Sequence, residues 1–189
     1  MYYPKMDVLV LVVLLPMMAS IMAQGDQAEY VIDIEDFFQD CDNGKPFPAI
    51  KLEDFETLQD DEGNSLMNGN LIFADEYNDP IEMKIYSTRQ KQGSWVDGEI
   101  SRDVMNVCPL IMSSSEPWYV ITSAMKKQDC PFEAGHTEKF ELLPMGDMGF
   151  GSIPESFAGN WRLYVESTTQ RGAEKVTECF RVAFSIIEK

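Results

Sequence analysis

A cysteine and a histidine that could do chemistry together lie close to each other in this chain. Cys130 begins the stretch CPFEAG, and His136, the only histidine among 189 residues, follows that stretch directly. A thiol beside an imidazole could be a nucleophile with its general base. The same side chains could instead belong to a metal site, or Cys130 could be one end of a disulfide.

The spacing of the cysteines favours disulfides. The chain has four, namely Cys41, Cys108, Cys130 and Cys179. Zinc sites usually contain cysteines two to four residues apart, and a single histidine cannot complete a Cys/His set here. An even number of cysteines in a secreted chain indicates disulfides, and four cysteines allow three pairings. We therefore expect disulfides, no bound metal and no cofactor.

Residues 1–23 have the order of a secretory signal peptide. Lys5 provides a positive start, Val8–Met18 is an apolar run, and small residues follow up to Ala23. That run is shorter than the roughly 20 residues that a membrane-spanning helix needs, which disfavours a retained anchor. We expect cleavage after Ala23, with Gly25 as the next candidate, and a secreted, extracellular protein with no transmembrane segment. Residues 24–189 are then long enough for a single domain.

The formal net charge of −17 limits the possible partners. An acidic surface repels nucleic acid and anionic membranes, so we expect no nucleic-acid partner. The charge fits solubility in a secreted fluid. The alternative interpretation is that the acidic surface binds a basic partner, such as a receptor or channel.

Alternation of apolar and polar residues predicts a mainly β fold. Period-two patterns over Glu29–Phe37, Ile81–Arg89 and Val176–Ile187 indicate strands with one apolar face. The polar breaks at Asn78–Pro80 and at residues 170–174 indicate hairpins. Several short strands with few helices predict an antiparallel two-sheet sandwich.

The stretch Ser101–Cys130 has no period of two. Its apolar residues are spaced like short helical faces, and Pro117 suits a helix start. We predict an irregular segment with one or two short helices. The stretch 144–159 is rich in Gly and Pro and is predicted to be a loop.

Enzymatic motifs are missing from the sequence. Ser113, Ser114 and Ser115 lack a nucleophile-elbow pattern, and there is no HExxH, phosphate loop or calcium loop. The paired carboxylates are best explained as solvated faces of an acidic chain. We therefore expect no enzymatic activity and predict that His136 is an exposed loop residue.

Four motifs resemble the ganglioside GM2 activator-like branch of the MD-2-related lipid-recognition superfamily. They are FFQDCDNGK, CPFEAG, IPESFAGNWRLYVES and ECFRVAFSI, in the same order and at similar spacing, over about Phe37 to Ile187. The opening YVIDIEDFFQDCD and the four cysteines resemble the insect CheB-type chemosensory proteins of this group more closely. The activator's additional cysteines have no counterparts here.

This resemblance implies a cup-shaped antiparallel two-sheet fold with a lipid cavity. It also implies pairing of Cys41 with Cys179 and of Cys108 with Cys130. The expected function is non-enzymatic binding or carriage of a lipid or hydrophobic small molecule in pheromone or taste perception. The alternatives are a lysosomal sphingolipid activator, or a receptor-interaction protein without lipid.

Large apolar side chains in the turn-rich regions are the candidate ligand-binding residues, since methionine and aromatic side chains line adaptable apolar pockets. Plain core packing is the alternative for each of them. The predicted lining consists of Trp95, Met112, Trp118, Tyr119, Ile121, Met125, Phe150 and Phe157.

Overall fold

A computed structural model of the protein describes residues 29–61, 64–146 and 152–189. In these ranges the chain forms two antiparallel sheets, one of five strands and one of three. The predicted mainly β, antiparallel two-sheet fold is therefore confirmed. The predicted signal peptide, residues 1–23, lies outside the described residues and stays a prediction.

Eight strands build the two sheets. In chain order they are β1 (Tyr30–Asp40), β2 (Ile50–Gln59), β3 (Ser65–Phe73), β4 (Ile81–Lys91), β5 (Ser94–Val104), β6 (Thr137–Pro144), β7 (Gly159–Arg171) and β8 (Glu174–Glu188). The five-stranded sheet has the order β1-β8-β7-β4-β5, and the three-stranded sheet has the order β2-β3-β6. The sheets approach each other most closely at β1, which contacts β2 and β3.

Strands β7 and β8 form the second hairpin that the sequence predicts. Their antiparallel register is unbroken along the whole of β7. The apolar row predicted for the last strand faces the core, where Val182, Phe184 and Ile186 are buried and Phe180 is partly buried. Burial of this row stabilises β8 in its place between β1 and β7.

The hairpin predicted around Asn78–Pro80 is wrong, because the strands on either side belong to different sheets. Strand β3 pairs with β2 and β6, whereas β4 pairs with β5 and β7. Between them, Tyr77 and Phe132 exchange two backbone hydrogen bonds of 2.9 Å. The Asp79 carboxylate accepts the Ile81 N–H at 3.1 Å. This polar turn therefore carries the chain from one sheet to the other.

The irregular stretch begins later than predicted, since Ser101–Val104 completes β5, a strand with no clear signal in the sequence. We call residues 105–130 the middle segment. It contains a 3₁₀ turn at Cys108–Leu110 and the single-turn helix α1 (Tyr119–Thr122). The predicted short helical structure is present here. No helix in the described ranges is long and apolar enough to cross a bilayer.

Two disulfides pair all four cysteines. Cys41 at the end of β1 is joined to Cys179 in β8, and Cys108 is joined to Cys130 across the middle segment. This is the pairing that the family resemblance implies. The second bridge closes the middle segment into a loop, which restricts the unfolded chain more than the folded one.

The three-stranded sheet is bent around Gly69. The register of β3 shifts at this glycine, both in its pairing with β2 and in its pairing with β6. Asp54 and Leu142, on the two neighbouring strands, have positive φ values of 51° and 49°. A Cβ atom on Gly69 would lie 2.6 Å from the Phe55 Cα. Only glycine therefore fits at this bend, where bulges curve the strands that carry them.

Candidate ligand-binding cavity

An apolar cavity lies between the two sheets and is bordered by the middle segment. It consists of two adjacent spaces of about 130 Å³ and about 210 Å³. Small-molecule sites usually enclose about 300–1,000 Å³, and the two spaces together reach the lower end of that range. The side chains that line both spaces are Phe38, Met83, Ile121, Val165 and Phe180.

Both sheets and the middle segment contribute to the larger space. Ile50 and Leu71 line it from the three-stranded sheet, Ile81 lines it from β4, and Ile111 and Met125 line it from the middle segment. The sheets therefore do not fill the whole of their interface with their own side chains.

Strand alternation explains how the five-stranded sheet presents this wall. Leu163 and Val165 on β7 point into the cavity, and Ile85, the β4 partner of Val165, lines it beside them. Arg162 and Tyr164, which alternate with these two residues along β7, point to the opposite face of the sheet. Period-two patterning therefore places apolar side chains on the cavity side only.

An aromatic cluster forms the wall where the sheets approach each other. Phe38, which lies in a register shift of β1 and has φ 57°, turns its ring toward both sheets. Its ring centre is 5.4 Å from that of Phe55 and 4.8 Å from that of Phe180. Such edge and tilted contacts stabilise aromatic pairs beyond the burial of their area.

The middle segment presents carbon surface to the cavity because its polar side-chain atoms are bonded within the segment. The Trp118 Nε1–H donates to the Leu110 carbonyl at 3.2 Å. The Thr122 hydroxyl donates to the Ile111 carbonyl at 2.6 Å. The cavity wall thus offers an apolar ligand no competing polar group at these positions.

Glu138 on β6 anchors the end of the middle segment. Its side chain is 1% exposed and accepts hydrogen bonds from the Lys126 and Lys127 backbone N–H groups at 2.7 and 3.0 Å. His136 Nε2 lies 2.5 Å from the same carboxylate. Burial alone would raise the pKa of Glu138, but these hydrogen bonds to the ionised form hold that pKa below its usual value.

The structure also answers the question of Cys130 and His136. Cys130 is bonded to Cys108, so it has no thiol to act as a nucleophile. His136 lies in a loop, as predicted, but the prediction that it is exposed is wrong, since its side chain is only 22% exposed and contacts Glu138. Sequence patterning misses this contact because nothing in the sequence separates the buried Glu138 from an exposed acid of the same strand such as Glu141.

A polar cluster lies at one end of the cavity. The Tyr77 hydroxyl donates to Glu178 Oε2 at 2.9 Å, and Arg171 donates to Glu178 Oε1 at 2.8 Å. The backbone N–H of Ala49 donates to Glu178 Oε1 at 3.1 Å. Burial raises the pKa of Tyr77, and its hydrogen bond to Glu178 raises that pKa further. Glu178 is therefore a buried carboxylate that three donors satisfy.

Three of the predicted lining residues are brought together at the cavity. Trp118 lines the smaller space, Met125 lines the larger one, and Ile121 lines both. All three belong to the middle segment, so their helical spacing in the sequence does mark one common face.

The other predicted residues lie elsewhere. Phe157 lines a separate pocket, where it stacks on Trp161, and Met112 packs against the core. Tyr119 is half-buried and lines none of these spaces. Trp95 is exposed on β5, with the Arg162 guanidinium 4.0 Å from its ring centre on the outer face of the sheet. Phe150 lies outside the described residues.

Several lining residues were missed although the sequence contains a signal for them. Met83 and Phe180 belong to apolar rows that predicted core strands. Periodicity shows which face of a strand points inward, but it does not show whether the opposite layer fills the space in front of it.

The described residues offer no metal site, and comparison with known proteins assigns no family. In the ranges that the structure describes, no three His, Cys, Asp or Glu side chains are placed to hold a metal ion. Among known proteins, no family model matches the chain and no curated protein matches it. The geometry of the cavity is therefore the main basis for a functional proposal.

Proposed function

We propose that this protein is a secreted, non-enzymatic carrier that holds the hydrocarbon part of a lipid or other hydrophobic small molecule between its two sheets. The observation that supports this proposal is the apolar cavity shared by both sheets and the middle segment. Each methylene group moved from water into such a site contributes about 0.8 kcal/mol, so a long chain binds without a charged contact.

The two disulfides fit an oxidising, extracellular location, where such bonds form and persist. The predicted signal peptide supports the same location. The sequence resemblance to insect CheB-type proteins extends the proposal to carriage of a chemosensory ligand.

Native mass spectrometry of the secreted protein, followed by extraction with organic solvent, tests the proposal. We expect a bound mass in the lipid range, or uptake of an added apolar dye such as N-phenylnaphthylamine after extraction. A protein that has neither a bound mass nor dye uptake would contradict the carrier function.

A cavity-filling variant makes this test specific. Val165 lines both spaces, so Val165→Phe should fill them and abolish dye uptake. Val96, exposed on β5, accepts the same substitution as a matched control, and Val96→Phe should bind dye like the parent. Equal uptake by both variants would place the dye outside the cavity.

A further inference from the structure

The inner face of β7 changes from apolar to polar along the strand. Leu163 and Val165 line the cavity, Ser167 follows at the edge of the larger space, and Thr169 and Arg171 line a cleft of about 490 Å³. Because alternate residues of a strand share one face, these five side chains form a single row. The apolar cavity and the polar cleft therefore lie along the same line.

The cavity and the cleft are immediate neighbours. Ile81, which lines the cavity, is the β4 partner of Thr169. Tyr77 also lines the cavity, and the Arg171 guanidinium lies 5.7 Å from the centre of its ring. A single layer of side chains thus separates the hydrocarbon-lined space from the polar one.

Two residues that line this cleft each have a buried polar atom with no hydrogen-bond partner among the described residues. Thr169 is 3% exposed, and its Oγ1 has no partner among the described residues; the same holds for the buried Arg171 Nε. Leaving a buried donor unpaired is costly, and native structures rarely do so. The Nε–H can only donate, and a hydroxyl can also donate, so a group with acceptor lone pairs suits either of them.

The charges around the cleft favour an uncharged hydrogen-bond acceptor over an anion or a cation. The Arg171 guanidinium is already paired with Glu178 at 2.8 Å and with Asp75 at 3.2 Å. The cleft is also lined by Glu76 and Asp79, so carboxylates outnumber cations among the described residues that line it. An anionic head group would be repelled here, and an ammonium group has no lone pair for the Arg171 Nε–H.

We propose that the cargo is an elongated molecule whose hydrocarbon chain occupies the cavity and whose uncharged, oxygen-bearing head, such as an ester, ketone or alcohol, is held by Thr169 and Arg171. This inference rests on the proposed carrier function and adds the chemical class and orientation of the ligand.

Competition among probes of equal chain length tests the inference. Dodecane, dodecanol, methyl dodecanoate and dodecanoate would each displace N-phenylnaphthylamine from the full secreted protein at pH 7.5. We expect the alcohol and the ester to bind about five- to tenfold more tightly than the alkane, because each gains one buried hydrogen bond. The carboxylate should bind no better than the alkane. Equal binding of all four, or tightest binding of dodecanoate, would overturn the inference but leave the carrier function intact. Failure of the dye itself to bind would contradict the carrier function instead.

A matched pair of variants tests the role of the Thr169 hydroxyl. Thr169→Val should reduce alcohol and ester binding to the level of dodecane without changing dodecane binding. Thr88 also has a buried Oγ1 with no partner among the described residues, but it lies opposite Arg162 on the outer face of the sheet. Thr88→Val should therefore keep the parental order of affinities. If Thr169→Val also keeps that order, water alone satisfies the hydroxyl and the inference fails.

Discussion

The Tyr77 hydroxyl donates a 2.9 Å hydrogen bond to Glu178, and both side chains are buried. This contact joins the polar turn between the sheets to β8. Because the Tyr77 ring also lines the cavity, the same residue serves both the stability of the fold and the shape of the candidate site.

Tyr77→Phe should lower the free energy of unfolding by about 1–2 kcal/mol, because the buried Glu178 carboxylate loses a donor. Dye affinity should stay unchanged, since the ring remains. Urea denaturation and a dye titration measure the two effects. Tyr86→Phe is the control, since Tyr86 is half-buried and donates to the better solvated Glu166 at 3.0 Å, and it should cost less. Equal losses in the two variants would contradict the importance of the Tyr77 bond.

Gly69→Ala should destabilise the protein by more than about 2 kcal/mol, because its Cβ would meet the Phe55 Cα at 2.6 Å and the Asp54 carbonyl oxygen at 2.7 Å. Gly44 has φ +75° with no atom within 4 Å of the added Cβ, so Gly44→Ala should cost only about 1 kcal/mol of backbone strain. Thermal unfolding of both variants provides the comparison. Similar costs would show that β2 and β3 are not in close contact at this bend.

Glu138→Gln should lower stability by about 1–3 kcal/mol at pH 7, because the Lys126 and Lys127 N–H groups lose a charged acceptor. The folded pKa of Glu138 lies below its usual value near 4.5, so its stabilisation is complete above about pH 5 and is lost as the pH falls through the folded pKa. Denaturation midpoints of the parent and the variant should therefore differ at neutral pH and converge as the pH falls through the folded pKa of Glu138.

The control for that experiment is Glu141→Gln on the same strand. The Glu141 side chain is 71% exposed and pairs with Lys139 at the surface. Its substitution should change stability less at every pH. A constant difference between the parent and Glu138→Gln across the acid range would contradict the assigned role of the Glu138 carboxylate.

Trp118→Ala should weaken N-phenylnaphthylamine binding by about tenfold or more, since a large apolar contact with the ligand is lost. The loss of binding free energy should exceed the loss of unfolding free energy, which the shift in melting temperature reports. Trp95→Ala removes only an outer-face contact with Arg162 and should leave dye binding unchanged. Parental affinity in Trp118→Ala would remove Trp118 from the ligand site.

Much of the five-stranded sheet could be predicted from the sequence because apolar and polar residues alternate along β4, β7 and β8. The apolar row of β8 and the β7–β8 hairpin are the clearest cases. The turn at Asn78–Pro80 could not be assigned correctly. A polar break with proline has the same sequence pattern whether the chain folds back into a hairpin or crosses to another sheet. The pairing of Tyr77 with Phe132 that decides between these outcomes is distant in sequence.

The candidate site was predictable only in part. The helical spacing of Trp118, Ile121 and Met125 indicates a shared face, and the structure places that face at the cavity. An exposed aromatic residue such as Trp95 has the same local signature in the sequence, because a large apolar side chain near a turn does not reveal which face of a sheet it occupies. The buried partner of His136 has no periodic signal at all.

Methionine methyl groups test the account most directly, because they report on the cavity and the surface in one spectrum. Met83, Met125 and Met145 line the cavity, whereas Met105 is 67% exposed. With ¹³C-methyl methionine and a bound long-chain ester, we predict nuclear Overhauser contacts from the chain protons to the three cavity methyl groups and none to Met105. Contacts to Met105 alone, or no contacts to the cavity methyl groups at saturating ester, would contradict a hydrocarbon chain between the sheets.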